Sequence, residues 1–209
     1  MTAREDILDR VRAAVAGSPV VRRPAEPSDP LAGTPADAAI ERFVDRIVDY
    51  KAGIDRIAPG GIAVAVAAAC RTHTIGSLLI SAGVPAEWLV GVAEGGVRLV
   101  PDSAELTLTD LDAIDGLLSG CAVAVAETGT IVLDGSAGQG RRVASLVPDV
   151  HLCVVAADQL VTSVPQAVAR LDGTRPATWI SGGSATSDIE LNRVEGVHGP
   201  RTLHVLFVR

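Results

Sequence analysis

The residues best suited to chemistry gather in three short stretches. The longest is SGGSATSDIELNRVEGVHGP, Ser181 to Pro200, which mixes glycines, hydroxyl side chains, acids and a histidine. Ser181, Gly182, Gly183 and Ser184 leave an apolar run, Thr186 follows, and Ser187 with Glu190 fits a capping box at the start of a short helix. Free N–H groups at a helix start, preceded by glycines, cradle phosphate or carboxylate. Asp188, Glu190 and Glu195 would repel a bare anion, unless they orient arginines such as Arg193 and Arg201 or bind sugar hydroxyls. His198 lies in the turn GVHGP and is a candidate acid–base group. His204 lies inside the final strand, His151 opens a strand, and His73 begins a helix that it can cap.

The second stretch is AVAETGTIV, where an apolar strand runs into Glu127, Thr128, Gly129 and Thr130. A carboxylate leaving an apolar strand end is partly desolvated, which suits it to base or nucleophile work. Gly129 permits a tight turn. A β-turn with Glu127 pointing to water is equally compatible with these residues. The third stretch is LDGSAGQGRR. Gly135, Gly138 and Gly140 free the backbone, and Arg141 and Arg142 fall in the first turn of a following helix, where positive charge is normally disfavoured. An anion in the loop would account for Arg141, while Arg142 reads as solvated.

These stretches need a scaffold. TAREDILDRVRAAVAG places Ile7, Leu8, Val11 and Val15 on one helical face, with Thr2 and Glu5 as a capping box. A Pro-rich linker without period follows, and residues 1–36 are expected to form a separable N-terminal helix and linker. Residues 37–209 are expected to form one domain. DAAIERFVDRIVDY spaces Ile40, Phe43, Val44, Ile47 and Val48 as a helix. Beyond Gly60, IAVAVAA reads as a strand, THTIGSLLISAG as a helix ending at Gly83, and DLDAIDGLLSG as another helix. CAVAVAE and TGTIVLD read as strands, GQGRRVASLVP as a helix, and HLCVVAA as a strand. DQLVTSVPQAVARL reads as a helix capped by Asp158, and ATWISG and TLHVLFV as strands. Continuously apolar strands imply helices over both faces of a sheet. The expected class is α/β, a Rossmann-like, mainly parallel sheet flanked by helices, with ligands at the carboxyl ends of its strands.

The rest of the composition narrows the possibilities. A formal net charge of -7 argues against a general nucleic-acid binder, which would present a basic face. The longest apolar run, GIAVAVAAAC, is too short to span a bilayer, and MTAREDILDR lacks a signal-peptide core, so the expected location is the cytoplasm. Cys70, Cys121 and Cys153 are dispersed and form no C-x-x-C. They fit neither zinc nor an iron–sulfur cluster and read as buried, inert thiols, so no metal site is expected in this chain. No G-x-G-x-x-G follows the first strand, and no Walker A, H-E-x-x-H or G-x-S-x-G motif is present.

AETGTIVL, GQGRR, LVPDVHLCVV and the closing SGGSATSDIELNRVEGVHGPRTLHVLFV together resemble the lactate utilization protein C family, whose domain is called LUD. The resemblance covers Ile62 to the C-terminus. The family pattern is S-G-P-S-A-T-A-D-I-E; here Gly183 replaces the Pro and Ser187 the second Ala, and no ionisable group is lost. The resemblance implies a sheet of the sugar-phosphate isomerase and CoA-transferase-like type. It also implies a part in oxidising L-lactate to pyruvate beside two iron–sulfur partner proteins, with the clusters expected only in those partners.

Three functions are compatible with this. One is an anion- or metabolite-binding subunit of a lactate-oxidising assembly, its own cofactor unknown. Another is an independent enzyme of CoA-transferase or sugar-phosphate type, since in CoA transferases a Glu in an E-x-G context attacks the thioester and Glu127 and Gly129 match. The last is a metabolite-sensing scaffold. For the first two, the candidate catalytic pair is Glu127 and His198. The candidate ligand set is Thr128, Gly129, Thr130, Gly138, Gly140, Arg141, Ser181, Gly182, Gly183, Ser184, Thr186, Asp188 and Glu190, gathered in one small-anion pocket.

Overall fold

A computed structural model of the chain describes residues 3–16, 29, 31–186, 194–195 and 199–209. The N-terminal periodicity forms α1 (Ala3–Val15), which buries none of its residues. Thr2 of its expected capping box lies outside the described residues. Near the end of the linker, Asp29 accepts a hydrogen bond from Gln166 at 2.5 Å and the Leu31 carbonyl one from Thr162 at 3.3 Å. The next helix, α2 (Ala36–Asp49), buries Ala39, Ile40, Phe43 and Ile47 along one face, as its spacing requires.

After α2 come β1 (Gly53–Ile57), α3 (Ile62–Thr72), β2 (Ser77–Ile80), β3 (Arg98–Pro101), α4 (Leu108–Asp112) and β4 (Gly116–Ser119). Here the structure corrects the sequence reading three times. IAVAVAA is not a strand but the body of α3. Its alternation mimics a period of two, but the run is alanine-rich and long enough for three helical turns. His73 therefore ends a helix rather than beginning one. THTIGSLLISAG is not a helix but carries β2, whose Leu78 and Leu79 are both fully enclosed. DLDAIDGLLSG divides into the short α4, closed by a Thr107–Asp110 capping box, and the wholly buried β4. Strands covered on both faces show no period, so periodicity cannot separate them from buried helix.

The remainder runs β5 (Val123–Val125), β6 (Thr130–Leu133), β7 (Val150–Ala156), β8 (Leu160–Val161), α5 (Val164–Arg170), β9 (Thr178–Ile180), β10 (Ala185–Thr186), β11 (Val194–Glu195) and β12 (Thr202–Val208). GQGRRVASLVP is not a full helix but a loop with a single 3-10 turn at Arg142–Ser145. Asp158 does not cap a long helix either. Leu160–Val161 pairs with β5, and α5 starts only after Ser163, with Pro165 in its first turn.

β1, β12, β7, β4, β2 and β3 lie in that order in one fully parallel sheet, and β8, β5, β6 and β9 form a second, smaller sheet. One face of the large sheet (Leu78, Leu118, Leu152, Leu206) packs on α3 and the segment around Val92 and Val97. The other (Cys153, Val155, Val205, Phe207) packs on α2 and on Ala124 and Ile131 of the small sheet. The chain leaves β2 outward to β3, then returns past β2 to β4 and continues away through β7 and β12. The order of connection reverses between β2 and β4, the place where open α/β sheets open a crevice.

Candidate functional site

The loop after β6 crosses that reversal point. Gly138 donates its N–H to the Ala82 carbonyl beyond β2 at 2.7 Å and accepts from Gly120 N–H beyond β4 at 2.8 Å. It does so with φ +83, a left-handed conformation open to glycine. A Cβ on Gly140 (φ +74) would stand 2.6 Å from Ser81 Oγ, so the loop lies directly on the end of β2. Above it opens a cleft of about 640 Å3, walled by Gly83, Asp102, Ser103, Ser136, Gly140, Arg141, Arg142, Ser145 and Thr178 among others.

The two arginines of this cleft hold different positions. Arg141 donates through Nε (2.9 Å) and an Nη (2.7 Å) to one oxygen of Asp102, and through its backbone N–H (3.2 Å) to the other. The Asp102 side chain is 2% exposed and that of Arg141 33%. Arg141 is thus anchored to a buried carboxylate. Arg142, read as merely solvated, is exposed, lines the cleft, and has no ion pair among the described residues. Sequence reasoning missed Asp102. Its signal was present, because like Glu127 it is an acid directly after an apolar run, LVP.

A second cleft, of about 280 Å3, adjoins the first, and Ser145 and Thr178 line both. Its walls include Ser181, Gly182, Gly183, Ser184, Trp179 and Pro200, with His151 and Leu203 beneath. Ser184 N–H donates to the Pro200 carbonyl at 2.8 Å. A Cβ at Gly183 would collide with the carbonyl oxygen of Arg201, which explains a glycine here in place of a bulkier residue. Gly182 (φ +79) leaves only 2.6 Å to Tyr50 Cβ. Thr186 lies in β10, whose backbone pairs with β11. The expected Ser187–Glu190 helix start, Asp188, Arg193 and His198 fall outside the described residues. Arg201 pairs with Asp149 at 3.5 Å.

Glu127 is placed elsewhere. It lines a separate pocket of about 340 Å3 with Arg46, Asp49, Tyr50 and Thr128. Its carboxylate accepts the first N–H of α5, from Val164 at 3.3 Å, and its carbonyl accepts from Arg46 Nε at 3.2 Å. Gly129 (φ +63) lets the turn press on α2, where a Cβ would lie 2.7 Å from Arg46 Cβ. The structure therefore does not bring Glu127 into the cleft of Arg141 or that of Ser184. What joins them is a hydroxyl chain: Thr128 to Thr130 and Thr130 to Ser181, each at 2.7 Å.

His204 bonds Asp55 at 3.0 Å and His73 at 2.8 Å on the opposite face of the sheet. Burial pushes the Cys70 thiol up to about 11, and Cys121 is held well above its ordinary value by a hydrogen bond with Cys153 and by burial, so both stay protonated. Among the described residues no cluster of three or more His, Cys, Asp or Glu side chains is arranged to hold a metal ion, and no helix is long and apolar enough to cross a membrane.

With the geometry established, comparison with known proteins gives consistent results. The LUD domain family matches residues 62–208. A lactate utilization protein C of Deinococcus radiodurans is 45% identical over 99% of this chain and 95% of its own. Another, from Shouchella clausii, is 38% identical over 37% of each chain. The crystal structure of a DUF162 family protein from Deinococcus radiodurans superposes with a TM-score of 0.70 at 39% identity, covering 84% of this chain and 99% of that one.

Proposed function

The chain belongs to the LUD domain family, and on that premise we propose that it serves in lactate utilization as the subunit that binds a small carboxylate, L-lactate or pyruvate, beside iron–sulfur partner proteins. The observation that carries this reading is the cleft at the chain-reversal point with two adjacent arginines at its wall. Asp102 holds Arg141 in place and leaves part of its guanidinium fork facing the cleft, while Arg142 brings a positive charge with no described counter-ion. One anchored and one exposed donor suit the bidentate pairing that carboxylates accept from arginine. Residues 37–209 are the unit that carries this site.

Electron transfer in this reading falls to the partners. Three buried cysteines, on α3, ahead of β5 and on β7, do not supply the four thiolates of a cluster. The alternative of a CoA-transferase-like enzyme has no support from the position of Glu127, whose carboxylate is engaged by the Val164 N–H.

Calorimetric titration of the purified chain with L-lactate and with pyruvate tests the reading. Arg142→Ala removes a charge-assisted hydrogen bond of roughly 1.5–3 kcal/mol, so affinity is expected to fall on the order of ten- to a hundredfold. Stability is expected to stay within about 0.5 kcal/mol, because the side chain is exposed. Equal affinity in the variant and the parent would place the anion elsewhere.

A further inference from the structure

The floor of the second cleft carries a buried polar atom for which the described residues supply no partner. His151 is 1% exposed. Its Nε2 lies 2.7 Å from Ser119 Oγ, and its enclosed Nδ1 has no hydrogen-bond partner among the described residues. An atom left in that state carries an uncompensated desolvation cost, which an apolar side chain of similar shape would avoid. Leu203, its neighbour across the β7–β12 ladder, fills the same floor at no such cost. Among the described residues, none that lines this cleft carries a formal charge other than a protonated His151.

We propose that the second cleft is a subsite for a neutral oxygen-bearing group, a hydroxyl or a carbonyl, that pairs with His151 Nδ1. The Ser119–His151 pair can meet either. With Nδ1 protonated, the ring donates to a carbonyl, and Nε2 accepts from the Ser119 hydroxyl. With Nδ1 bare, it accepts from a ligand hydroxyl, and Nε2–H donates to Ser119 Oγ. A serine hydroxyl donates and accepts equally well, so the exchange of tautomers needs no net charge. Burial pushes His151 down to about 4, which keeps the ring neutral near pH 7 and gives it no attraction for an anion. Trp179, Leu146 and Pro200 supply apolar walls for the carbon skeleton.

Because Ser145 and Thr178 line both clefts, one molecule can place this group at His151 and an anionic end at Arg142. This last step rests on the proposed role of Arg142 as an anion site; the pairing with His151 does not. A three-carbon acid fills on the order of 100–200 Å3, less than either cleft, so a ligand spanning both is larger than lactate.

The test is nuclear magnetic resonance of the full chain labelled with 15N-histidine, using hydroxyacetone as a neutral probe and L-lactate as an anionic one. Hydroxyacetone is expected to move the His151 Nδ1 signal. Affinity read at the Gly182 and Gly183 amides is expected to fall about tenfold in His151→Phe. Should that variant fail to fold, Trp179→Ala alters only an exposed wall and is expected to give a similar loss. A His151 Nδ1 signal unmoved by hydroxyacetone, or moved only by L-lactate, overturns the subsite. L-lactate bound through Arg142 while Nδ1 stays silent to hydroxyacetone would sink the subsite and leave the lactate reading standing. A hydroxyacetone response without any binding of L-lactate would support the subsite and sink that reading.

Discussion

Arg141→Ala is expected to destabilise the protein by about 3–5 kcal/mol, the usual cost of removing one partner of a buried ion pair. For a chain of this size that lowers Tm by roughly 6–20 °C. The reason lies with the residue left behind. The Asp102 carboxylate, 2% exposed, would lose both guanidinium hydrogen bonds and keep only the residue-141 backbone N–H. Asp102→Asn is expected to cost less, because the abandoned arginine, a third exposed, can turn to water. Combining Asp102→Asn with Arg141→Ala should recover part of the loss by removing the stranded charge. Urea unfolding of the three variants measures this coupling directly. A loss below about 1 kcal/mol for Arg141→Ala would mean that the pair behaves as an ordinary surface bridge.

Acidification is expected to remove about 3 kcal/mol through His151 alone. Burial lowers its folded value from 6.5 to about 4, so folding favours the neutral ring. A depressed histidine contributes stability that is complete above the unfolded value of 6.5. The contribution falls away as pH drops from 6.5 towards about 4 and is gone below that. The size follows because every tenfold preference for the neutral ring is worth about 1.4 kcal/mol. His73, lowered by burial and by the neighbouring His204, acts in the same sense. Asp115 belongs to a lower window: hydrogen bonds from Ser77 and Gly76 outweigh its burial and hold it below the ordinary carboxylate range. Unfolding curves at pH 7 and about pH 4.5 should differ in the parent, and His151→Phe should flatten the difference over the window from 6.5 to about 4. An unchanged slope in that variant would assign the acid sensitivity to other groups.

The same residues mark where the sequence was legible. α2, β5, β6, β7, β9 and β12 were readable because each is either strongly amphipathic or an apolar run bounded by turns. The glycine-rich stretch from Gly135 to Gly140 was readable as a loop with a free backbone, and its glycines at 135, 138 and 140 do take positive φ. β2 and β4 were misread because burial on both sides erases the period, and α3 because its Ala/Val alternation mimics a period of two. β3 was overlooked altogether, and with it Asp102.

The sequence by itself determined the α/β class, the candidate loops and the family. Those are properties of contiguous residues: local propensity, turn chemistry and a long closing motif. Only the tertiary structure decided how the loops combine. Asp102 reaches Arg141 across 39 positions because β3 lies beside β2 in the sheet, and Ser119 reaches His151 because β4 lies beside β7. Glu127 and Ser184, grouped together by their motifs, are held apart because Gly129 packs its turn against α2 while Gly183 packs its own against Arg201. Strand order is set by non-local burial, which no short stretch of chain encodes. It gave Arg141 a buried carboxylate partner in Asp102 and left Arg142 exposed at the cleft, with no ion pair among the described residues.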